Sequence, residues 1–337
     1  MHILIVGFGS IGQRHLRVMR ALLPDAKITV VRQHTPIDTN QPPAGADTIT
    51  DDLNHAIGQN PDAAILAGPA AGRMDLALPL AKNGVHILAE KPIAMSTNLV
   101  AQVLKMVAQN NTVFMVGYVL RHMPVLIAMK NAIDDDRIGD VYSLNAQVGQ
   151  HLGGWRPGTD YRQSVSAKAA LGGGAIFELS HELDYVRWLL GHPTMVTCRA
   201  GQLGNLEIDV EDTADIILEF SGRTQATIHL DLLQRPATRT CTVLGSKARL
   251  DADLIAGTLH ITDGETVQRQ SMNIPTLMDR DALFTHQAQH FLACIRGETS
   301  PLVSGQDGLD ILNIALAAKQ SATSGVTVTL HAPEPNK

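Results

Sequence analysis

Cysteine is scarce in this chain, basic charge is thin, and long apolar runs are missing. The three cysteines, Cys198, Cys241 and Cys294, are far apart, odd in number and without a C-x-x-C pair. That excludes a disulfide framework and a thiolate metal site, and it fits a reducing compartment. The formal charge of -6, with no Lys/Arg block, offers no positive field to a phosphate backbone, which excludes nucleic acid as a partner. The apolar run at residues 2–6 is too short for a signal peptide and lacks a basic start. No stretch approaches the roughly 20 apolar residues that span a bilayer. The expected location is therefore the cytoplasm, with no membrane partner. What is present is length and glycine: 337 residues, 28 of them Gly and 45% hydrophobic, suffice for two cores at roughly 100–200 residues per domain.

Short apolar runs alternate with helix-period segments from the start: 3–6, a helix to about residue 23, 28–31, a short helix after Asp51, 63–66, a helix after Arg73, 85–88, a helix near 99–108, and 112–116. Continuous apolar strands separated by helices are strands buried on both faces. This predicts an α/β Rossmann domain over residues 1–120, with a doubly wound parallel sheet of about six strands. Beyond it, longer and more polar alternating runs occur at 141–148, 195–201, 214–220, 224–232 and 240–244. They predict an α+β domain over 121–332 with a large, mainly antiparallel open sheet, on which helices near 175–190, 281–295 and 308–322 pack. Residues 333–337 read as a loose tail.

Gly7-Phe8-Gly9-Ser10-Ile11-Gly12 follows the first strand and opens the first helix. That is the context in which G-x-G-x-x-G binds a dinucleotide. Gly7 allows the tight turn, Gly9 the close approach of the pyrophosphate, and Gly12 the packing of helix on strand. Twenty residues on, where an NAD enzyme places a carboxylate on the ribose, the chain reads Val30-Val31-Arg32-Gln33-His34. Arg32 in that place pairs with a 2′-phosphate and favours NADP over NAD, the alternative being an exposed arginine beside a nonselective site.

Glu90-Lys91-Pro92 ends the fifth strand, at the sheet edge where open α/β folds bind ligands. Lys91 there reaches the nicotinamide end, or is a solvated surface lysine. A second cluster follows Gly172-Gly173-Gly174: Glu178 and His181, at i and i+3, share one helical face, with Asp184 a further step round. A carboxylate beside a histidine fixes its tautomer for general-base work. The alternative is a set of helix-start acids favoured by the macrodipole. His286 and His290 have a metal-like spacing but lack the intervening Glu and a third ligand, so no metal is expected.

Taken together, the glycine motif, Glu90-Lys91-Pro92, Val116-Gly117-Tyr118-Val119-Leu120-Arg121 and the segment 172–191 resemble the glucose-fructose oxidoreductase/inositol dehydrogenase/rhizopine catabolism family, and the resemblance spans nearly the whole chain. It implies a Rossmann domain followed by an α+β domain whose open sheet forms a homodimer or homotetramer interface. It also implies that Lys91, with Glu90 beside it, contacts cofactor and substrate hydroxyl, and that His181 is the acid/base. Glu178 stands where the family usually has aspartate. Many relatives place one more residue between acid and histidine, which would give that position to Glu182. The S-H-E-L-D-Y variant is similar to a subgroup associated with bacterial nonulosonic acid and surface-sugar pathways. That subgroup tends to carry the pattern seen here as Trp155-Arg156-Pro157, Asp160-Tyr161-Arg162 and Lys168. Tyr118, Arg121, Arg156, Tyr161, Arg162, Lys168 and Asp184 are then the expected substrate contacts, the alternative for the 155–168 group being a surface loop ordered by its own salt bridges.

The expected reaction is reversible oxidation of a secondary alcohol of a sugar, sugar acid or polyol: His181 takes the hydroxyl proton, Lys91 polarises the oxygen, and hydride passes to nicotinamide. Two other readings keep the same fold: a nicotinamide-dependent glycosidase that oxidises transiently, and a non-catalytic NADP-binding sensor.

Overall fold

The computed structural model describes residues 1–32, 38, 41–156, 158–272 and 280–330. Gln33, His34, Pro157 and the expected tail 333–337 lie outside the described residues. The chain divides into two compact units, one of residues 1–119 and 279–312, the other of 120–278 and 313–337.

In the first unit β1 (His2–Val6), β2 (Lys27–Val31), β3 (Thr48–Thr50), β4 (Ala63–Leu66), β5 (His86–Ala89) and β6 (Phe114–Val116) form one sheet in the order β3-β2-β1-β4-β5-β6. Every pairing is parallel, with registers such as Ile3 opposite both Ile28 and Ala63. Crossover helices α1 (Ser10–Leu22), α2 (Leu53–Ile57), α3 (Arg73–Lys82) and α4 (Val100–Gln109) join the strands. Ile3, Leu4, Ile5, Ala64, Ile65, Ile87 and Leu88 have no exposed surface, as strands covered on both faces require. The order reverses between β1 and β4, and ligands of open α/β sheets bind beyond the carboxyl ends of strands at such a switch. β3 carries no apolar run, only Thr-Ile-Thr, which is why apolar patterning misses it.

The second unit begins with α5 (Pro124–Asp134) and β7 (Val141–Gly149), then α6 (Ala175–Glu178) and α7 (His181–Leu190). After these come β8 (Pro193–Gly201), β9 (Thr213–Phe220), β10 (Gln225–Asp231), β11 (Thr238–Gly245), β12 (Ala248–Asp253), β13 (Thr258–Asp263) and β14 (Arg269–Met272). The last elements of the chain are α8 (Arg280–Ile295), α9 (Gly305–Ser324) and β15 (Val328–Thr329). The second sheet runs β14-β13-β12-β11-β7-β10-β9-β8-β15, antiparallel throughout except that β7 and β10 are parallel. Burial alternates along its strands: Ala214, Ile216 and Leu218 are buried, while Asp215 and Ile217 between them are exposed. One face is thus covered, in part by α6 and α7, and the other is open and polar. On the open face Asn145 donates to Thr227 at 2.7 Å, and the His229 ring bonds Asp215 at 2.6 Å.

Two expectations need correction. Helix α8 belongs to the first unit, although its place in the chain suggests packing on the second sheet. It lies on α1, where Asp281 accepts from Arg14 at 2.8 Å and Arg17 at 2.7 Å, and Phe284 meets the His15 ring edge-on at 5.4 Å. The single helix expected near 175–190 is two. Leu179, at φ -102° and ψ 24°, leaves helical geometry after Glu178, and α7 starts at His181. Glu178 and His181 therefore flank a break instead of sharing one helical face. Among the described residues no helix is long and apolar enough to cross a membrane.

Candidate active site

The segments that follow β1, β2, β5 and β6 leave the carboxyl edge of the first sheet with the candidate residues. After β1, Gly9 caps α1 with no side chain to occupy the first-turn amides, so these N–H groups and the positive end of a 13-residue helix meet whatever lies beyond. A methyl group built on Gly9 would meet nothing within 4 Å, whereas one on Gly12 would sit 2.1 Å from the Gly7 carbonyl oxygen. Gly9 leaves room for a ligand, and Gly12 leaves room for the protein itself. Phe8, Ser10 and Ile11 complete the turn, with Ser10 exposed and the other two partly so. The donors and open space suit a dinucleotide pyrophosphate. Arg32 stands at the carboxyl end of β2, its backbone amide on the Thr50 carbonyl at 2.9 Å and its side chain half-buried.

After β5 comes Glu90-Lys91-Pro92. The Glu90 side chain, read from sequence as a cofactor contact, turns inward: Glu90 is 8% exposed and its Oε1 accepts from His15 Nε2 at 2.8 Å. Burial opposes its ionisation, but the His15 hydrogen bond and the charges of His15, Arg73 and Lys91 hold the carboxyl below the usual value. Arg73, itself buried, donates to the backbone carbonyls of Gly68, Glu90 and Pro92. Lys91 lies between these clamped neighbours, half-exposed. Tyr118 is 1% exposed, on the segment leaving β6.

In the second unit, Gly174 has φ +100°, and a Cβ there would come within 2.5 Å of the Glu211 carboxylate. Glycine is required because Glu211 fills that space. Its Oε1 accepts the Ile176 amide at 3.2 Å, and Lys319 Nζ reaches both carboxylate oxygens at 3.0 and 3.1 Å while standing 4.8 Å over the Phe177 ring. This staple fixes the entry to α6. Glu178 and His181, beyond it, are both half-buried. Glu182 is fully buried, in a two-point pair with Arg239 at 2.8 and 3.1 Å, and is committed to that partner. Burial, with the Glu182 charge beside it, pushes the Tyr185 hydroxyl well above its ordinary value.

The expected substrate contacts fall into two groups. Arg121 and Asp184 are 3% and 0% exposed and hold each other through two 2.8 Å bonds, with the Trp188 ring 4.7 Å from the guanidinium carbon. In the loop, Arg162 bonds Asp160 at 2.8 Å and Glu207 at 3.0 Å, Tyr161 Oη accepts the Glu207 amide at 3.3 Å, and Lys168 reaches Gln163 at 3.3 Å. Arg156 is exposed and, with Trp155, Thr159, Tyr161, Ser164 and Ser166, lines a small hollow. Sequence reasoning missed His15, Arg73, Glu211 and Lys319. His15 alone leaves a trace, one turn past Gly12 on the buried side of α1; the others act across the fold and leave no local pattern.

Residues 1–118 match the model of an oxidoreductase family with an NAD-binding Rossmann fold, and residues 126–251 match the GFO/IDH/MocA C-terminal domain. The chain is 27% identical over 329 residues to inositol 2-dehydrogenase of Rhizobium meliloti, covering 94% of this chain and 95% of that one. A solved levoglucosan dehydrogenase, in complex with NADH and levoglucosan, aligns with TM-score 0.84 at 18% identity, over 98% of this chain and 99% of its own. The WlbA dehydrogenase from Bordetella pertussis, in complex with NADH and UDP-GlcNAcA, aligns with TM-score 0.78 at 23% identity, over 98% and 99%. The two family models follow one another along the chain as the two sheets do, and on that evidence this protein belongs to the GFO/IDH/MocA family of oxidoreductases.

Proposed function

We propose that this chain interconverts a secondary alcohol and a ketone on a sugar, sugar acid or polyol. The observation that carries the reading is the gathering of the Gly7–Gly12 turn and Lys91 on one edge of the first sheet, beside its switch point. Gly9 and the α1 amides hold the dinucleotide there, Gly12 lets the turn pack so that they face it, and the bound nicotinamide supplies the hydride acceptor or donor. Lys91 Nζ donates to the substrate oxygen and stabilises the charge that develops on it. His181 takes or returns the hydroxyl proton at a ring nitrogen, and Glu178 orients the histidine or a neighbouring hydroxyl. Relatives named for inositol and levoglucosan, and one solved in complex with UDP-GlcNAcA, support a polyhydroxylated substrate.

We assign Arg121 and Asp184 to the scaffold, since each already neutralises the other. Arg156, in its hollow with an indole, a phenol and three aliphatic hydroxyls, is our choice for reading an acidic substituent. Arg32 supports NADP over NAD within the NAD-binding family, by offering a cation where a ribose-binding carboxylate would repel a 2′-phosphate. The open face of the second sheet is our choice for self-association into a dimer or tetramer. There Ile217 stands exposed in the row of Thr227, Asn145 and Thr242, and Leu244 stands exposed opposite Ser143. Three free, buried cysteines support a reducing, cytoplasmic setting. Replacing Lys91 by Met tests the core of the reading: turnover should fall at least a hundredfold with dinucleotide affinity within about threefold. Equal losses in both would refute the assigned role.

A further inference from the structure

His15 occupies a position that the reaction as proposed does not use. It sits one turn beyond Gly12 on the dinucleotide helix, has no exposed surface, and spends its Nε2–H on a carboxylate from another loop. An ionised carboxylate only accepts, so Nε2 carries the proton. The acceptor, Glu90, immediately precedes Lys91. Its Oε2 lies 3.3 Å from the Lys91 backbone amide, and a Cβ on Gly117 would come within 3.3 Å of the Glu90 carboxyl, so the side chain has little room to turn elsewhere. On the other side of Lys91, Arg73 binds the carbonyls of both Glu90 and Pro92. The His15 ring is held in turn by the edge-on contact with Phe284, under the Arg14 guanidinium at 5.0 Å.

We propose that His15 is a positioning residue: through Glu90 it registers the Lys91 turn against the helix that receives the pyrophosphate, so that seating of the dinucleotide and placement of the Lys91 ammonium are mechanically one event. A charge-assisted bond connects the two loops here in a dry environment, where such bonds are strong and directional. Removing it leaves Glu90 buried without its donor, and the carboxyl then relaxes toward the Lys91 amide or takes up a proton. Either displaces the turn by a fraction of an ångström, a scale that matters where reacting atoms must be aligned. The proposal rests on the dehydrogenase reading for its kinetic arm only.

The test uses the full-length protein carrying ¹³C-methylated lysines, with the Lys91 resonance identified by its loss in Lys91→Met. Binding of NAD⁺ or NADP⁺ should shift that resonance in the wild type. In His15→Leu the dinucleotide should still bind within about threefold while the Lys91 response is lost; in His15→Gln, which keeps an N–H donor at similar reach, it should return. With substrate, kcat should fall roughly ten- to a hundredfold in His15→Leu, with KM changed little and recovery in His15→Gln. Should His15→Leu not fold, Glu90→Gln, which keeps the shape and drops the charge, should show the same uncoupling. A His15→Leu protein with normal Lys91 response, or one that loses only thermal stability and equally so in His15→Gln, would overturn the proposal. A wild type that binds dinucleotide, shows the Lys91 response and its loss in His15→Leu, yet turns nothing over, would instead count against the proposed reaction.

Discussion

Replacing Asp184 by Asn separates a structural role for the Arg121–Asp184 pair from a substrate-binding one. Both carboxylate oxygens of Asp184 accept from Arg121 at 2.8 Å, and the two side chains are 3% and 0% exposed. An amide in place of the carboxylate turns one acceptor into a donor facing the guanidinium and leaves a buried cation without its counter-charge. Breaking a buried pair in this way costs about 3–5 kcal/mol, a large share of a domain stability of roughly 5–15 kcal/mol. With a urea slope of about 2–3 kcal/mol per molar, a loss near 4 kcal/mol lowers the unfolding midpoint of this unit by roughly 1.3–2 M. The companion variant Arg121→Met/Asp184→Leu removes both charges and should recover much of that loss. Kinetics on the folded fraction should show a substrate KM within about twofold of wild type. An Asp184→Asn protein as stable as wild type but with KM raised tenfold would refute the reasoning, because it would mean that the pair opens to receive substrate.

The glycines of the first turn make paired forecasts of opposite sign. Gly9→Ala should leave the thermal midpoint unchanged, since its Cβ meets nothing within 4 Å, and should weaken dinucleotide binding tenfold or more, about 1.4 kcal/mol. Gly12→Ala should lower the midpoint as well, because its Cβ would press on the Gly7 carbonyl at 2.1 Å; calorimetric titration and melting of both variants check the contrast. Mild acid should destabilise the first unit through two half-buried histidines. His86 Nδ1 accepts the Val113 amide at 3.0 Å and His290 Nε2 accepts the Leu302 amide at 2.9 Å, and burial holds both imidazoles below 6.5. The unfolded chain then takes up protons first, so stability that is full above pH 6.5 declines as pH falls through 6.5 toward the folded values. A denaturation midpoint that is flat from neutral pH into this acid range would contradict it. Glu211→Ala should release the Gly174 loop and cut turnover at least tenfold with dinucleotide affinity intact; a kcat equal to wild type would remove Glu211 from the positioning of His181.

Much of this molecule is legible from local pattern, and the illegible part has a common cause. Strands such as β1 and β4, buried on both faces, announce themselves as apolar runs, and the Gly7–Gly12 turn by glycine spacing at a strand end. β12 to β14 are missed because they lie toward the rim of the second sheet, where half their residues face water and turns rich in Asp replace the apolar boundary. Helix α8 is placed on the wrong unit because its partners, Arg14, Arg17 and His15, stand more than 260 residues earlier in the chain. The same applies to the site. Lys91 and His181 are proposed on motif alone, whereas the orientation of Glu90, the commitment of Glu182 to Arg239 and the Glu211–Lys319 staple depend on which residues the fold brings together. A carboxylate in a motif does not by itself tell whether it faces ligand or protein.

The most direct measurement is calorimetric titration of NAD⁺ and NADP⁺ into the purified, cofactor-free protein, followed by an absorbance screen of polyols, sugars and sugar acids for reduction of the tighter-binding nucleotide. The account predicts saturable one-site binding, tighter for NADP⁺ through Arg32, and substrate-dependent reduction that Lys91→Met abolishes while binding persists. Failure of both nucleotides to bind would contradict it outright, and binding without reduction of any polyhydroxylated substrate would contradict the reaction assigned to Lys91 and His181.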